Sequence, residues 1–326
     1  MVLLFSLPII EMSQKALKIR ENYHLYEIFF VSLQRNITGT MINGKVIYTP
    51  KGAALEYGRV GANFYTGCPH NCEYCYLKRG IIGKALGGTE VNLKKTLKDP
   101  DTAFAIFERE VARHIDECRK HGIFFSFTCD PLISETRMLT ARSIVHCMEQ
   151  GISVHVLTKN HTFIYDDEFM HTMQRIDRSL RQKVHFGFTL TGRDDMEPGA
   201  SRNIDRIETM CYLHSAGYKT WASIEPVIDW DSADKVVIGS LDYCDHYKIG
   251  LRSGVKRDYY NPQESTERIF RLVYTITSND LTVYLKESVR RMLRETCSDE
   301  MYQALLRETV SMDLNPIKNS EKEKEI

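Results

Sequence analysis

Three cysteines, Cys68, Cys72 and Cys75, fall within eight residues of one segment, GCPHNCEYCY, at C-x3-C-x2-C spacing. Thiolates this close on one loop can share a soft metal centre, and a 4Fe-4S cluster takes one cysteine per iron. Three ligands leave one iron open. An open position is where a substrate or cofactor binds, just as a zinc ion with three protein ligands is catalytic and one with four is structural. Two blander readings stand beside this one. A zinc site could recruit His70 or a distant residue as fourth ligand, but zinc loops present two paired arms and no second arm exists here. A ferredoxin-like electron carrier wants a fourth nearby cysteine, and none is offered.

The rest of the composition narrows the setting. The chain has 326 residues, 43% hydrophobic and 26% charged, an ordinary globular balance. Lys plus Arg equals Asp plus Glu, 43 each, so no global basic field argues for nucleic acid. A local basic stretch, Lys78, Arg79, Lys84, Lys94 and Lys95, follows the cysteines and reads either as a solvated loop or as an attractor of phosphates. Nine cysteines in so long a chain do not make a disulfide scaffold, and the expected compartment is a reducing cytoplasm. The apolar start, MVLLFSLPIIEMSQK, lacks the positive n-region and cleavage site of a signal peptide. No run of about 18 apolar residues predicts a membrane span.

Elements that would position the cysteines follow from the apolar pattern. Residues 1–40 read as an N-terminal extension, and Met41 is a candidate physiological start. From residue 60, β-type runs alternate with helical ones: strands at 60–65, 123–129, 152–158, 184–191, 218–228 and 246–250. A helix opens after Pro100, with Phe104, Phe107, Val111 and Ile115 at helical spacing. Others are predicted around Ala141–Met148, over 166–180, and with Ile204, Ile207 and Cys211 facing the core. From the second strand on, starts recur at about 30 residues, the length of a βα unit. The expectation is an α/β core over 41–285, as an incomplete (β/α)6 TIM-like barrel or a doubly wound sheet. Asp130, Lys159, Thr189, Thr191 and Glu225 fall toward strand C-termini, where barrels gather their active-site groups, and this tips the choice to the barrel. Residues 286–326 read as a C-terminal helix followed by a disordered charged tail.

The cysteine motif, with the aromatic Tyr74 before its third cysteine, resembles the signature of the radical S-adenosylmethionine (SAM) superfamily. With TCDPLISE, VLTKN, FTLT, EPGASRNIDRIETM and SIEPVI, the chain over about residues 45–290 is similar to the spore photoproduct lyase-like (DNA repair photolyase-like) branch. The resemblance implies an enzyme in which Cys68, Cys72 and Cys75 hold a 4Fe-4S cluster and SAM chelates the fourth iron. One electron then cleaves SAM to a 5′-deoxyadenosyl radical that abstracts hydrogen from substrate. It implies a reductant such as flavodoxin or ferredoxin as partner. DNA photoproduct repair is the narrower alternative, and a non-catalytic zinc or electron-transfer protein is the rival of another class.

The resemblance also assigns roles. Tyr74 would lie near the adenine, and Asp130 would bind the amino group of SAM, with capping of the next helix as its plain alternative. Lys159 would pair with the methionyl carboxylate as a point charge, with a surface lysine beyond the strand as its plain alternative; Thr189 would donate to the same group or serve strand propensity alone, and Glu225 would meet the ribose hydroxyls or substrate. In the lyase a cysteine three positions before the strand-end aspartate returns hydrogen to the product radical. Phe127 stands at that place. Cys129, two residues on and so on the same face of the expected strand, is a displaced hydrogen donor or a small apolar filler. Tyr76 is a second candidate relay.

Overall fold

The computed structural model describes residues 41–256 and 258–310. The expected extension at 1–40 and the charged tail lie outside the described residues. The described residues form ten strands: β1 (Ile47–Tyr48), β2 (Gly61–Ala62), β3 (Tyr65–Thr66), β4 (Asn92–Leu93), β5 (Ile123–Phe125), β6 (Val154–Thr158), β7 (Val184–Thr189), β8 (Lys219–Val227), β9 (His246–Leu251) and β10 (Thr282–Leu285). Eight form one sheet in the order β1, β2, β5, β6, β7, β8, β9, β10, while β3 and β4 pair separately. Only β1 runs antiparallel to its neighbour. Every other neighbouring pair in the sheet is parallel.

Helices fill the connections: α1 (Gly80–Leu86), α2 (Pro100–Arg113), α3 (Ile115–His121), α4 (Arg137–Glu149), α5 (Asp167–Gln174), α6 (Asn203–Ser215), α7 (Trp230–Ser240), α8 (Pro262–Thr277), α9 (Glu287–Thr296) and α10 (Asp299–Arg307). Local chemistry sets several starts. Asp99 accepts from Thr102 N at 2.8 Å and Pro100 occupies the first turn of α2, the combination a helix N-terminus favours. Asn261 and Pro262 repeat it at α8. None of the described helices is long and apolar enough to cross a membrane.

The outer face of the sheet packs on these helices. Phe125 of β5 meets Phe107 of α2 at 5.9 Å between ring centres, and Phe186 of β7 meets Tyr218 at 5.2 Å. The inner face is also filled. Phe124 of β5 contacts Trp221 of β8 at 6.5 Å, although β6 and β7 lie between them. Three strand spacings amount to roughly 14 Å in a flat sheet, so the sheet curls around its inner face. Tyr57, from the segment joining β1 to β2, enters the same space against Phe124, Phe127 and Trp221.

Three expectations are corrected. The parallel run holds seven strands rather than six, because the short apolar segment after residue 281 pairs with β9 as β10. The second predicted strand stops at Phe125 instead of continuing to Cys129. There Ser126 Oγ donates to the Cys129 carbonyl and Phe127 N donates to Asn63 Oδ1 at 2.8 Å, drawing the chain out of the ladder. The buried face of α6 carries Arg206, Ile207, Met210 and Leu213, leaving Ile204 exposed and Cys211 half-buried.

Candidate functional site

The cysteine loop leaves β3 at the C-terminal end of β2, the end where parallel sheets place their active sites. Two glycines make its path feasible. Gly67 has φ +79°, and a Cβ there would stand 1.9 Å from the Glu90 carbonyl oxygen. Gly199 faces the loop from the other side, where a Cβ would stand 2.2 Å from the Pro69 carbonyl oxygen. Backbone bonds lash the loop to both neighbours: Cys68 N donates to Gly88 O at 2.9 Å, Glu73 N to Met196 O at 2.9 Å, and Gly199 N to His70 O at 3.0 Å.

All three cysteines are free thiols, with Cys72 buried and Cys68 and Cys75 half-buried. Burial, reinforced by Asp130, pushes the Cys68 thiol up to about 12. Burial also raises Cys72, against the pull of the Lys159 ammonium. The protein alone therefore does not hold these groups as thiolates; a bound metal centre would. Among the described residues, no three His, Cys, Asp or Glu side chains converge where a single metal ion would sit. A zinc ion needs its thiolates about 2.3 Å from one point, whereas a four-iron cluster takes each thiolate at its own iron. Three free thiols at this spacing on one loop match the cysteine set of the second.

Behind the loop lies a buried polar network. Tyr74 Oη donates to Glu197 Oε1, and Arg206 Nη2 donates to Glu197 Oε2 at 2.7 Å. The Glu197 and Arg206 side chains are fully shielded from solvent. Arg206 Nη1 donates to the Thr189 carbonyl at 2.7 Å, which ties the end of β7 into the network. The Lys159 ammonium lies 5.5 Å from the Tyr74 ring centre. Burial works to lower its pKa, but Cys72 and Glu197 outweigh it and the amine stays charged. Glu197 and Arg206 thus fix Tyr74 and the backbone end of β7 at Thr189, with the Lys159 ammonium over the Tyr74 ring. Sequence reasoning missed both Glu197 and Arg206.

Asp130 sits under the loop rather than open to it. Its Oδ2 meets His70 Nε2 at 2.8 Å and accepts from Lys159 N at 2.7 Å, while Oδ1 accepts from Leu132 N at 2.9 Å and Thr158 Oγ1 at 2.8 Å. Burial raises its pKa, but the His70 charge and these donors more than offset that and hold it below the usual range. A carboxylate has about four acceptor positions, so an incoming ammonium would have to displace one of these donors. The other ring nitrogen of His70 meets Gly199 O at 2.9 Å.

The remaining candidates stand apart. Cys129 is buried beside Cys68, in the turn after β5, where burial, with Cys68 and Asp130 close by, raises its thiol pKa. Tyr76 is exposed and donates to the Phe127 carbonyl. The Phe127 ring stacks on Phe124 at 4.6 Å inside the sheet. Glu225 belongs to an inner group: it accepts from Lys286 Nζ at 2.6 Å and from Tyr57 Oη. Lys248 Nζ lies behind them, donating to Glu56 O at 2.7 Å, and burial with Lys286 nearby pulls it down to about 7.

A cleft of about 230 Å³ opens next to the loop, walled by Ile228, Asp229, Trp230, Tyr259, Tyr260 and Asn261. Ile228 itself packs on Cys72 and Tyr74. Tyr259 Oη donates to Ile228 O at 2.9 Å, fixing an aromatic wall over it.

No family model matches the sequence, and no curated protein matches it. Among solved structures, the chain is similar to Streptococcus suis SuiB bound to S-adenosylmethionine, at 14% identity and TM-score 0.48, over 72% of this chain and 53% of that one. It is also similar to a second structure of Streptococcus suis SuiB, at 11% identity and TM-score 0.44, over 68% and 46% of the two chains. The chain thus spans about half the length of these structures, and its functional reading rests on its own residues.

Proposed function

We propose that the chain is a radical SAM enzyme built on an incomplete barrel of βα units. The observation that carries this is the loop of three free thiols at C-x3-C-x2-C spacing at the C-terminal edge of a curled parallel sheet. Cys68, Cys72 and Cys75 would hold a 4Fe-4S cluster and leave one iron for SAM. That cluster would supply the electron that splits SAM into methionine and a 5′-deoxyadenosyl radical, which takes hydrogen from substrate.

The chain's own residues orient the cofactor. Lys159 presents its charged ammonium to the methionyl carboxylate, and the Thr189 hydroxyl donates to the same group. Tyr74, fixed by Glu197 and Arg206, packs on Ile228, and the cleft that Ile228 lines takes the purine. Asp130 holds the loop through His70 rather than meeting the cofactor directly. Glu225, anchored by Lys286 and Tyr57, faces the ribose or the substrate. The Phe127 ring at the place of the lyase cysteine supports a relative of the spore photoproduct lyase-like branch that does not return hydrogen as the lyase does. Cys129 and Tyr76 are the groups left near the loop for that step. The enzyme would work in a reducing cytoplasm with a one-electron donor protein.

Anaerobic reconstitution tests the reading. The wild-type protein is expected to take up about four irons and to release 5′-deoxyadenosine on reduction with SAM, and Cys72→Ala to lose both. Zinc at one per chain, or unchanged iron in Cys72→Ala, would sink it.

A further inference from the structure

The segment between β1 and β2, residues 51–58, enters the interior of the sheet but is not held there as a core element is. Lys51, Gly52 and Ala53 are exposed, and residues 54–58 are only half-buried. Gly52 takes φ +59°, and a Cβ there would meet nothing within 4 Å. Among the described residues, no backbone-to-backbone hydrogen bond ties the segment to the sheet or to another loop. Segments with so few such ties open at low free energy.

Glu56 and Tyr57 hold it instead. Glu56 Oε1 accepts from Glu287 N at 2.7 Å and from Tyr284 Oη at 3.1 Å, its Oε2 lies 3.7 Å from Lys286 Nζ, and its carbonyl accepts from Lys248 Nζ at 2.7 Å. Tyr57 Oη donates to Glu225 and lies 2.9 Å from Ser223 Oγ. Its ring rests against Phe124 and Trp221, with the Lys286 ammonium 4.2 Å from the ring centre. Lys248 and Lys286 are buried, so the surface that receives the segment is charged and hydroxylated as well as aromatic. These seats lie toward the C-terminal ends of β8 and β10. The Phe127 ring, 6.3 Å from that of Tyr57, belongs to the residue whose carbonyl accepts from Tyr76, the neighbour of Cys75.

We propose that residues 52–57 are a displaceable plug seated in the substrate's place, and that the substrate expelling it is a monoanion with a carboxylate and a hydroxyl-bearing ring. The inference rests on the radical reading through Glu225, which faces the substrate there. Charge balance sets the sign of the ligand. With the plug seated, Lys248 and Lys286 face the carboxylates of Glu56 and Glu225. With it gone they face Glu225 alone, and a buried ammonium stripped of a counter-charge is strongly destabilising. A ligand carboxylate restores the balance at Lys286. Its hydroxyl takes over Ser223 and Glu225, and its ring the space against Phe124 and Trp221. A ligand unable to pair with these buried groups would leave them unsatisfied, which disfavours it.

The probe is 4-hydroxyphenylacetate, with its methyl ester as the uncharged control. Calorimetric titration compares wild type with Glu56→Ala. Trypsin reports on the plug, because its sites after exposed Lys51 and half-buried Arg59 flank the segment. A ligand that must first expel the plug binds more weakly by the fraction of open molecules, so Glu56→Ala is expected to bind the acid roughly tenfold more tightly or better. In wild type the acid should speed cutting after Arg59 and leave cutting after Lys51 unchanged, and the ester should neither bind nor speed it. Lys286→Met should lose the response to the acid. Equal affinity in wild type and Glu56→Ala, no binding in either, or equal binding of acid and ester would overturn the proposal. So would a wild type that binds the acid with Arg59 no more open to trypsin, a comparison that stands even if Glu56→Ala does not fold. Neither measurement needs the cluster. Iron content alone decides the radical reading, so its failure and that of the plug remain distinct.

Discussion

At the scale of single residues, the buried pair of Glu197 and Arg206 organises the site. Neither touches a cysteine, but Glu197 receives the Tyr74 hydroxyl and Arg206 fixes the end of β7. Arg206→Ala would leave a carboxylate buried without its partner, which typically costs about 3–5 kcal/mol. A fall of that size in denaturant-derived stability is expected, and a loss below 1 kcal/mol would show that the pair is dispensable. Lys159 makes a different prediction, since its charge faces the cysteines and Tyr74 without an ion pair among the described residues. Lys159→Met should retain wild-type iron while weakening SAM binding roughly 30-fold, equivalent to about 2 kcal/mol. Equilibrium titration of the reconstituted variant checks both halves.

Among the elements, close approach of backbones governs what can change. A Cβ on Gly187 of β7 would lie 2.1 Å from the Trp221 ring, which occupies that space on the neighbouring strand. Gly187→Ala is expected to destabilise the fold by about 1–3 kcal/mol and to shift the fluorescence of one of only two tryptophans. Gly199→Ala should behave otherwise. It collides with the cysteine loop, not the core, so iron content should fall while the melting temperature stays near wild type. The distinction bears on what the sequence makes legible. β6 to β9 are readable because strands buried on both faces present short continuous apolar runs. The end of β5 is not, since Phe127 to Cys129 continue the apolar run and only the cross-chain bond to Asn63 reveals the turn. The three cysteines announce themselves by spacing, but Glu197 meets Tyr74 only through the fold. One signal was present: Arg206 shares the helical face of Ile207, Met210 and Leu213, and a charge on a buried face needs a partner.

For the molecule as a whole, the filled interior predicts acid sensitivity. Burial pulls His185 down to about 4 and lowers His155 and His246 further, and the three line the inner face of β6, β7 and β9. An unfolded imidazole titrates near 6.5, so below that pH the unfolded chain binds protons that the folded chain does not. The contribution of these imidazoles is therefore complete above about pH 6.5 and is lost as pH falls toward 4, by up to roughly 1.4 kcal/mol per pH unit for each imidazole. Lys248, lowered to about 7, acts in the same direction, since stability rises as pH climbs from 7 toward its unfolded value. Melting temperatures between pH 4 and 8 should rise monotonically, and a maximum near pH 5 would contradict this account of the interior.

The cleft at Ile228 and the three thiols face the same task, the placing of one cofactor at a single loop. Electron paramagnetic resonance of the reduced, reconstituted protein with and without SAM addresses that most directly. The account predicts a reduced 4Fe-4S signal that SAM perturbs, absent in Cys72→Ala. A signal indifferent to SAM, or none from a protein that holds one zinc ion, would contradict it.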